Sequence, residues 1–190
     1  MKQILNFLFA AMILIFSKPL SGQVADQAEN ICPLLVGESL PSDSIADSNG
    51  KNHLLLDIVS KKPTVLVVFR GGWCPYCNVQ LSGLGKAEDE ILKLGYQIIA
   101  ISPDDFKNIP AIEEKDELKY QLYSDIGAGL ISKMGIAFNS GPKRGILPVP
   151  TVLVLNQKGV IQFEHINPNY KQRMGSDYLL AVLNALKSNK

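Results

Sequence analysis

The 190-residue chain sets 19 basic side chains against 18 acidic ones, for a net charge of +1. That length suits one domain with a sizeable core, and a charge so nearly balanced gives no electrostatic reason to expect nucleic acid or an anionic membrane as partner. Three cysteines are too few for a disulfide-stapled scaffold, and two of them, Cys74 and Cys77, form a C-x-x-C.

The chain opens with Lys2 and an apolar run over residues 4–16, broken by Ser17, Lys18 and Pro19 and followed by the small residues Ser21 and Gly22. Residues 1–22 thus have the layout of a secretory signal peptide. The run is shorter than the roughly 18 apolar residues of a spanning helix. The expectation is an exported protein, periplasmic or extracellular, without a permanent membrane anchor. Residues 23–32 read as a polar linker, and residues 33–190 as one domain.

Within that domain, Asp47, Ser48, Asn49 and Gly50 supply turn chemistry for an N-terminal β-hairpin over 45–56. Residues 64–69, TVLVVF behind Pro63, form a β-branched run that suits a strand covered on both faces. Leu81, Leu84, Ala87, Ile91 and Leu94 then recur at steps of three and four, which predicts one amphipathic helix stopped at Gly95. Residues 97–102 read as the next buried strand, parallel to the first because a helix connects them. A polar helix over 104–117, a short strand over 120–123 and a glycine-containing helix over 125–134 follow. The Gly- and Pro-rich stretch 140–150 reads as loop, 151–155 and 160–163 as an antiparallel pair around NQKG, and 177–187 as a final helix with Leu179, Leu183 and Leu186 on one face. The order is α/β, a central mixed sheet flanked by helices.

Cys74 falls between a buried strand and a helix, with Pro75 at the first helical position, where its missing N–H costs nothing. The unpaired N–H groups and positive dipole end of that helix favour a thiolate, which is the nucleophilic form of cysteine. Cys77, one turn further in, is placed to attack a mixed disulfide or sulfenic acid on Cys74. The competing readings of the pair are an inert bridge, which would close too small a loop to contribute much, and half of a zinc site, for which only Cys32, His53 and His165 remain as further ligands. No metal or cofactor is expected. Trp73 either walls the site or fills core, and Arg70 either supports a thiolate or is a solvated charge. Cys32 is either a third redox partner or a buried bystander. Pro150 directly precedes a strand in PVPTVLVL, where only an edge, a first residue or a cis bond is comfortable.

These residues carry a likeness. The C-x-x-C at a strand-to-helix junction, with Val149, Pro150 and Thr151 leading into a later strand, resembles the thioredoxin superfamily. The resemblance implies a cis-proline loop that sets Pro150 beside Cys74 and offers the Val149 backbone to a bound thiol. More narrowly, FRGGWCPYCNVQL, YSDIGAGLISKMGI, LPVPTVLVLNQKGVI and INPNY resemble the peroxiredoxin-like branch of the alkyl hydroperoxide reductase/thiol-specific antioxidant family. That likeness implies a thioredoxin-like fold and a thiol peroxidase with Cys74 as attacker and Cys77 as resolver. The implied substrate-binding residues are Arg70, Trp73, Val149 and Pro150, and the implied electron donor is an external, thioredoxin-like dithiol. The family's threonine three residues before the reactive cysteine is here Gly71, its proline seven before is Val67, and its arginine before the later strand falls near Val149; Arg70 and Arg144 are the candidate substitutes. Two further readings stay open: a disulfide oxidoreductase acting on proteins, and a non-catalytic binding module.

Overall fold

A computed structural model describes residues 24–188; the expected signal peptide, 1–22, lies outside them. The hairpin forms as β1 (Ser44–Ala46) and β2 (Asn52–Leu54), with the Asp47 carboxylate accepting from the N–H groups of Asn49 and Lys51 in the turn. Leu55, Ile58 and Val59 are buried on one side of a short helix, α1 (Leu55–Val59), where the hairpin reading had extended chain. Their i, i+3, i+4 spacing is helical, but five residues are too few for it to stand out.

The buried run becomes β3 (Thr64–Val68), every residue of it fully covered. It lies between β4 (Gln97–Ser102), which pairs with it in parallel, and β8 (Thr151–Leu155), which pairs with it antiparallel. With β5 (Gln121–Ser124) and β9 (Ile161–Ile166), the mixed sheet has seven strands in the order β2-β1-β5-β4-β3-β8-β9. Alternate residues serve opposite faces. Val65, Val67 and Phe69 join Cys74, Cys77, Leu81, Leu84 and Leu179 in one core, while Leu66 and Val68 join Leu55, Ile58, Leu130 and Ile131 in the other.

The single helix expected up to Gly95 is two: α2 (Pro75–Lys86) and α3 (Glu88–Lys93), broken at Ala87, whose φ of −93° and ψ of 1° are not helical. Gly83 and Gly85 weaken the end of α2. Glu88, Asp89 and Glu90 then supply the acidic first turn that favours a new helix N-terminus. The polar helix is shorter than expected, a 3-10 turn (Phe106–Asn108) followed by α4 (Ile109–Lys115), and α5 (Gly129–Lys133) begins only after a turn at 125–128. The expected 140–150 loop contains a strand: β7 (Ile146–Pro148) pairs with β6 (Ala137–Asn139), just ahead of the loop, leaving a turn over 140–145. The last helix is α6 (Ser176–Ser188). Among the described residues no helix is long and apolar enough to cross a membrane.

The stretch read as a linker runs against the domain. Ala25 pairs with Phe138, and the N–H groups of Cys32 and Leu34 donate to the carbonyls of Gly135 and Met134 at 3.1 and 3.2 Å. Gly135, at φ +69°, allows this approach, because a Cβ there would be driven into the Cys32 carbonyl. Gly135→Ala should therefore lower stability by about 1–3 kcal/mol and make the segment before Leu34 easier to cleave. Thermal melts and limited proteolysis check both effects.

Candidate active site

The sheet delivers the site at the carboxyl end of β3. The chain leaves Phe69, passes Arg70, Gly71 and Gly72, and enters α2 with Cys74 as N-cap and Pro75 as first helical residue. Asp104, beyond β4, ties down this turn: one carboxylate oxygen accepts from the Gly72 N–H at 2.8 Å and the Ser102 hydroxyl at 3.0 Å. Asn78 adds a bond from its side-chain amide to the Gly72 carbonyl at 3.1 Å. Gly71, where the family has threonine, is buried at φ +143°. A Cβ there would lie 2.5 Å from the Trp73 ring nitrogen and 2.8 Å from Asp104. No side chain fits.

Cys74 and Cys77 are both free thiols, both buried, and both part of the core beneath α2. The Cys74 thiol is lowered to about 5, chiefly by the hydrogen bond from Cys77. The Cys77 N–H and the positive charges of Arg173 and Arg70 add to this, and burial opposes it. The Cys77 thiol is pushed far up, because its proton is the one that holds the Cys74 thiolate and because it is the more deeply buried of the two. The lowered thiol is the one that the motif reading makes the attacker.

Trp73 is 38% exposed, so it walls the site and does not fill core. The Arg144 guanidinium lies 3.7 Å over its ring, and that of Arg70 lies 5.1 Å from the same ring and 4.3 Å from Tyr170. Tyr170 meets Tyr76 edge to face at 5.7 Å. These side chains alternate cation with aromatic face, an arrangement that attracts through the ring quadrupole. Beside them, Arg70, Trp73, Asp104, Lys143, Arg144 and Ile146 are among the residues lining an open groove of about 570 Å³.

Two of the expected substrate contacts differ from the resemblance. No cis peptide bond occurs among the described residues, so Pro150 is joined in trans, buried just ahead of β8. Val149 is fully buried and its N–H donates to the Ile136 carbonyl at 2.8 Å, because the chain is still pairing on the β6–β7 side there. A substrate thiol does not find that donor free. Cys32 is exposed, flanked by Ile31 and Leu34, which pack on the core across the sheet from Cys74. His53 is bonded to Asp47 at 2.8 Å, and no group of three metal-ligating side chains occurs among the described residues.

The sequence reading missed Arg173. Its Nη2 lies 3.3 Å from the Cys77 sulfur and 3.8 Å from the Cys74 sulfur, although it is nearly a hundred positions away. Nothing in its local sequence marks it, and the loop fold over residues 167–175 alone brings it in. The only clue was chemical, the absence of an arginine near Val149.

Alkylation of Cys74 by a neutral reagent should rise with pH to a midpoint near 5 and stay level above it. Cys77→Ala removes the largest cause and should move that midpoint upward; iodoacetamide labelling rates across pH check both. Restoring the family threonine as Gly71→Thr should cost about 1–3 kcal/mol through the forced backbone and the crowding of Trp73, measurable by chemical unfolding.

The alkyl hydroperoxide reductase/thiol-specific antioxidant (AhpC/TSA) family model matches residues 36–164. Peroxiredoxin Bcp of Escherichia coli K12 is 28% identical over 162 residues, covering 83% of this chain and 98% of its own. The chloroplastic peroxiredoxin Q of Populus jackii is 28% identical over 150 residues, covering 79% and 68%. Reduced Prx3 of Vibrio vulnificus, solved with hydrogen peroxide, shares the fold with a TM-score of 0.74 at 19% identity, over 79% of this chain and 99% of that one. The family match, the relatives and the shared fold point the same way: this chain belongs to the AhpC/TSA family, as a peroxiredoxin-like member of the thioredoxin superfamily.

Proposed function

We propose that the protein is a thiol peroxidase that reduces hydroperoxides through Cys74 and is recycled through a Cys74–Cys77 disulfide. The observation that carries this reading is the Cys74 sulfur at a helix N-terminus, lowered to about 5 with the Cys77 thiol and two guanidinium charges around it. The names of its relatives, peroxiredoxin Q and peroxiredoxin Bcp, point the same way. In the proposed cycle the Cys74 thiolate attacks one peroxide oxygen, the O–O bond breaks, and the hydroperoxide proton leaves with the alcohol or water, so that Cys74 carries a sulfenate. Cys77 gives its proton to that sulfenate and attacks the Cys74 sulfur; the disulfide forms and hydroxide departs. An external dithiol of thioredoxin type reduces the disulfide. Residues 1–22 lead us to place this chemistry outside the cytosol, where a dedicated donor is needed.

The rival reading, exchange with protein disulfides, uses the same two sulfurs but draws on a backbone docking edge beside them. The occupied Val149 N–H and the trans Pro150 count against it. A non-catalytic binding module has no use for a thiolate held this far below the ordinary cysteine range.

Reduced protein mixed with hydrogen peroxide or an organic hydroperoxide should show a Trp73 fluorescence change much faster than oxidation of a free thiol at the same pH. Cys74→Ser should abolish it. Cys77→Ser should keep the first oxidation and accumulate sulfenic acid, trapped by a dimedone-type reagent. Oxidation no faster than a free thiol overturns the peroxidase reading.

A further inference from the structure

Arg173 stands outside the segment matched by the family model, which ends at residue 164. It belongs to the loop between β9, ending at Ile166, and α6, beginning at Ser176. That loop is held at both ends. The Asn167 N–H donates to the Pro150 carbonyl at 3.3 Å, and the buried Gln80 side chain, one turn along α2 from Cys77, donates to the Met174 carbonyl at 3.3 Å. The same loop supplies Tyr170 to the ring stack beneath Arg70. The loop that carries Arg173 is therefore anchored to Pro150 at one end and to α2 at the other. The Nη2 of Arg173 reaches both sulfurs and lies closer to Cys77, at 3.3 Å, than to Cys74, at 3.8 Å. Its Nε and Nη1 are buried and have no hydrogen-bond partner.

We infer that Arg173 is a positioning residue that serves both sulfurs in turn, supporting the Cys74 thiolate before attack and the Cys77 thiolate while the disulfide closes. The inference rests on the two-cysteine cycle proposed above, but only on its second half. In the resting dithiol the one proton between the sulfurs sits on Cys77. Whatever group Cys74 acquires, oxygen or a second sulfur, its negative charge is lost or moved away, and Cys77 must then give up its proton in order to attack. A buried thiolate needs a counter-charge. A guanidinium keeps its proton throughout, and here it already touches the sulfur that must ionise, so no rearrangement has to precede the step. The charges facing the pair are Arg173 from this loop and Arg70 from the end of β3; the titratable His165 of β9 lines the cavity that Arg173 borders.

The step can be isolated without any peroxide. In a Cys32→Ser background, 5,5′-dithiobis(2-nitrobenzoate) converts Cys74 into a mixed disulfide, releasing one thionitrobenzoate. Attack by Cys77 on the Cys74 sulfur forms the intramolecular disulfide and releases the second. Arg173→Met should slow the second release on the order of 10- to 100-fold, the worth of a hydrogen bond to a charged group, and move its pH profile to the alkaline side. Arg173→Lys should recover most of the rate. A second release whose rate and pH profile are unchanged in Arg173→Met overturns the assignment. So does an equal, pH-independent slowing of both releases, which marks a merely structural role. Should Arg173→Met fail to fold by near-ultraviolet circular dichroism, Arg173→Gln carries the same comparison. Hydrogen peroxide added separately to the unmodified protein tests the peroxidase reading, so that either conclusion can fail alone.

Discussion

Two free sulfurs lie side by side where β3 becomes α2, and the groups around them favour ionisation of the outer one over the inner one. Cys74 occupies the N-cap, where the helix offers N–H donors and no acceptor; Cys77, one turn deeper, has its proton directed outward toward Cys74. A buried anion survives there only because it collects a thiol hydrogen bond, a backbone N–H and two guanidinium charges, enough together to outweigh its desolvation. Moving the helix start by one residue would place a different side chain among those donors. The position of β3 in the middle of the sheet, paired on both sides and covered on both faces, therefore matters to the chemistry as well as to the fold.

Of the two guanidinium charges, Arg70 is local and Arg173 comes from far along the chain. The turn between β6 and β7 puts Arg144 on Trp73, and the loop after β9 puts Tyr170 under Arg70 and Arg173 against the sulfurs. At Gly71 the side chains of Trp73 and Asp104 take the space that the family's threonine would use, and Asp104 also fixes the turn through the Gly72 N–H. The reactive turn has thus given up one side-chain donor, and a guanidinium from a loop beyond the family match lies within reach of the same sulfur.

Much of the architecture was legible in the sequence because it depends on short-range pattern. The apolar run of β3 and the steps of α2 specify a strand, a helix and a parallel return strand whatever surrounds them. The errors fell where local pattern is weak or is overridden. Apolar steps of three and four continue through Ala87, so the break between α2 and α3 is invisible to periodicity, and it comes from two helix-weakening glycines followed by a fresh acidic turn. Gly and Pro composition marked 140–150 as loop, yet three residues at its end gain a partner strand in β6. Val149 read as an open backbone edge, and that same pairing occupies it.

The sequence alone was enough to single out Cys74 and Cys77 as the candidate pair and to place Cys74 at the helix start with Cys77 one turn deeper. Both follow from the spacing of two cysteines within a few residues of a strand end and from the proline between them, which are local facts of backbone geometry. Only the tertiary structure decided which cations stand by that pair, that Trp73 is a clamped wall and not core, and that Cys32 belongs to the other side of the sheet. The reason is that a charge acts through distance in space, and the 3.3 Å between Arg173 and Cys77 is set by how a loop after β9 packs on α2, a relation that no spacing along the chain records.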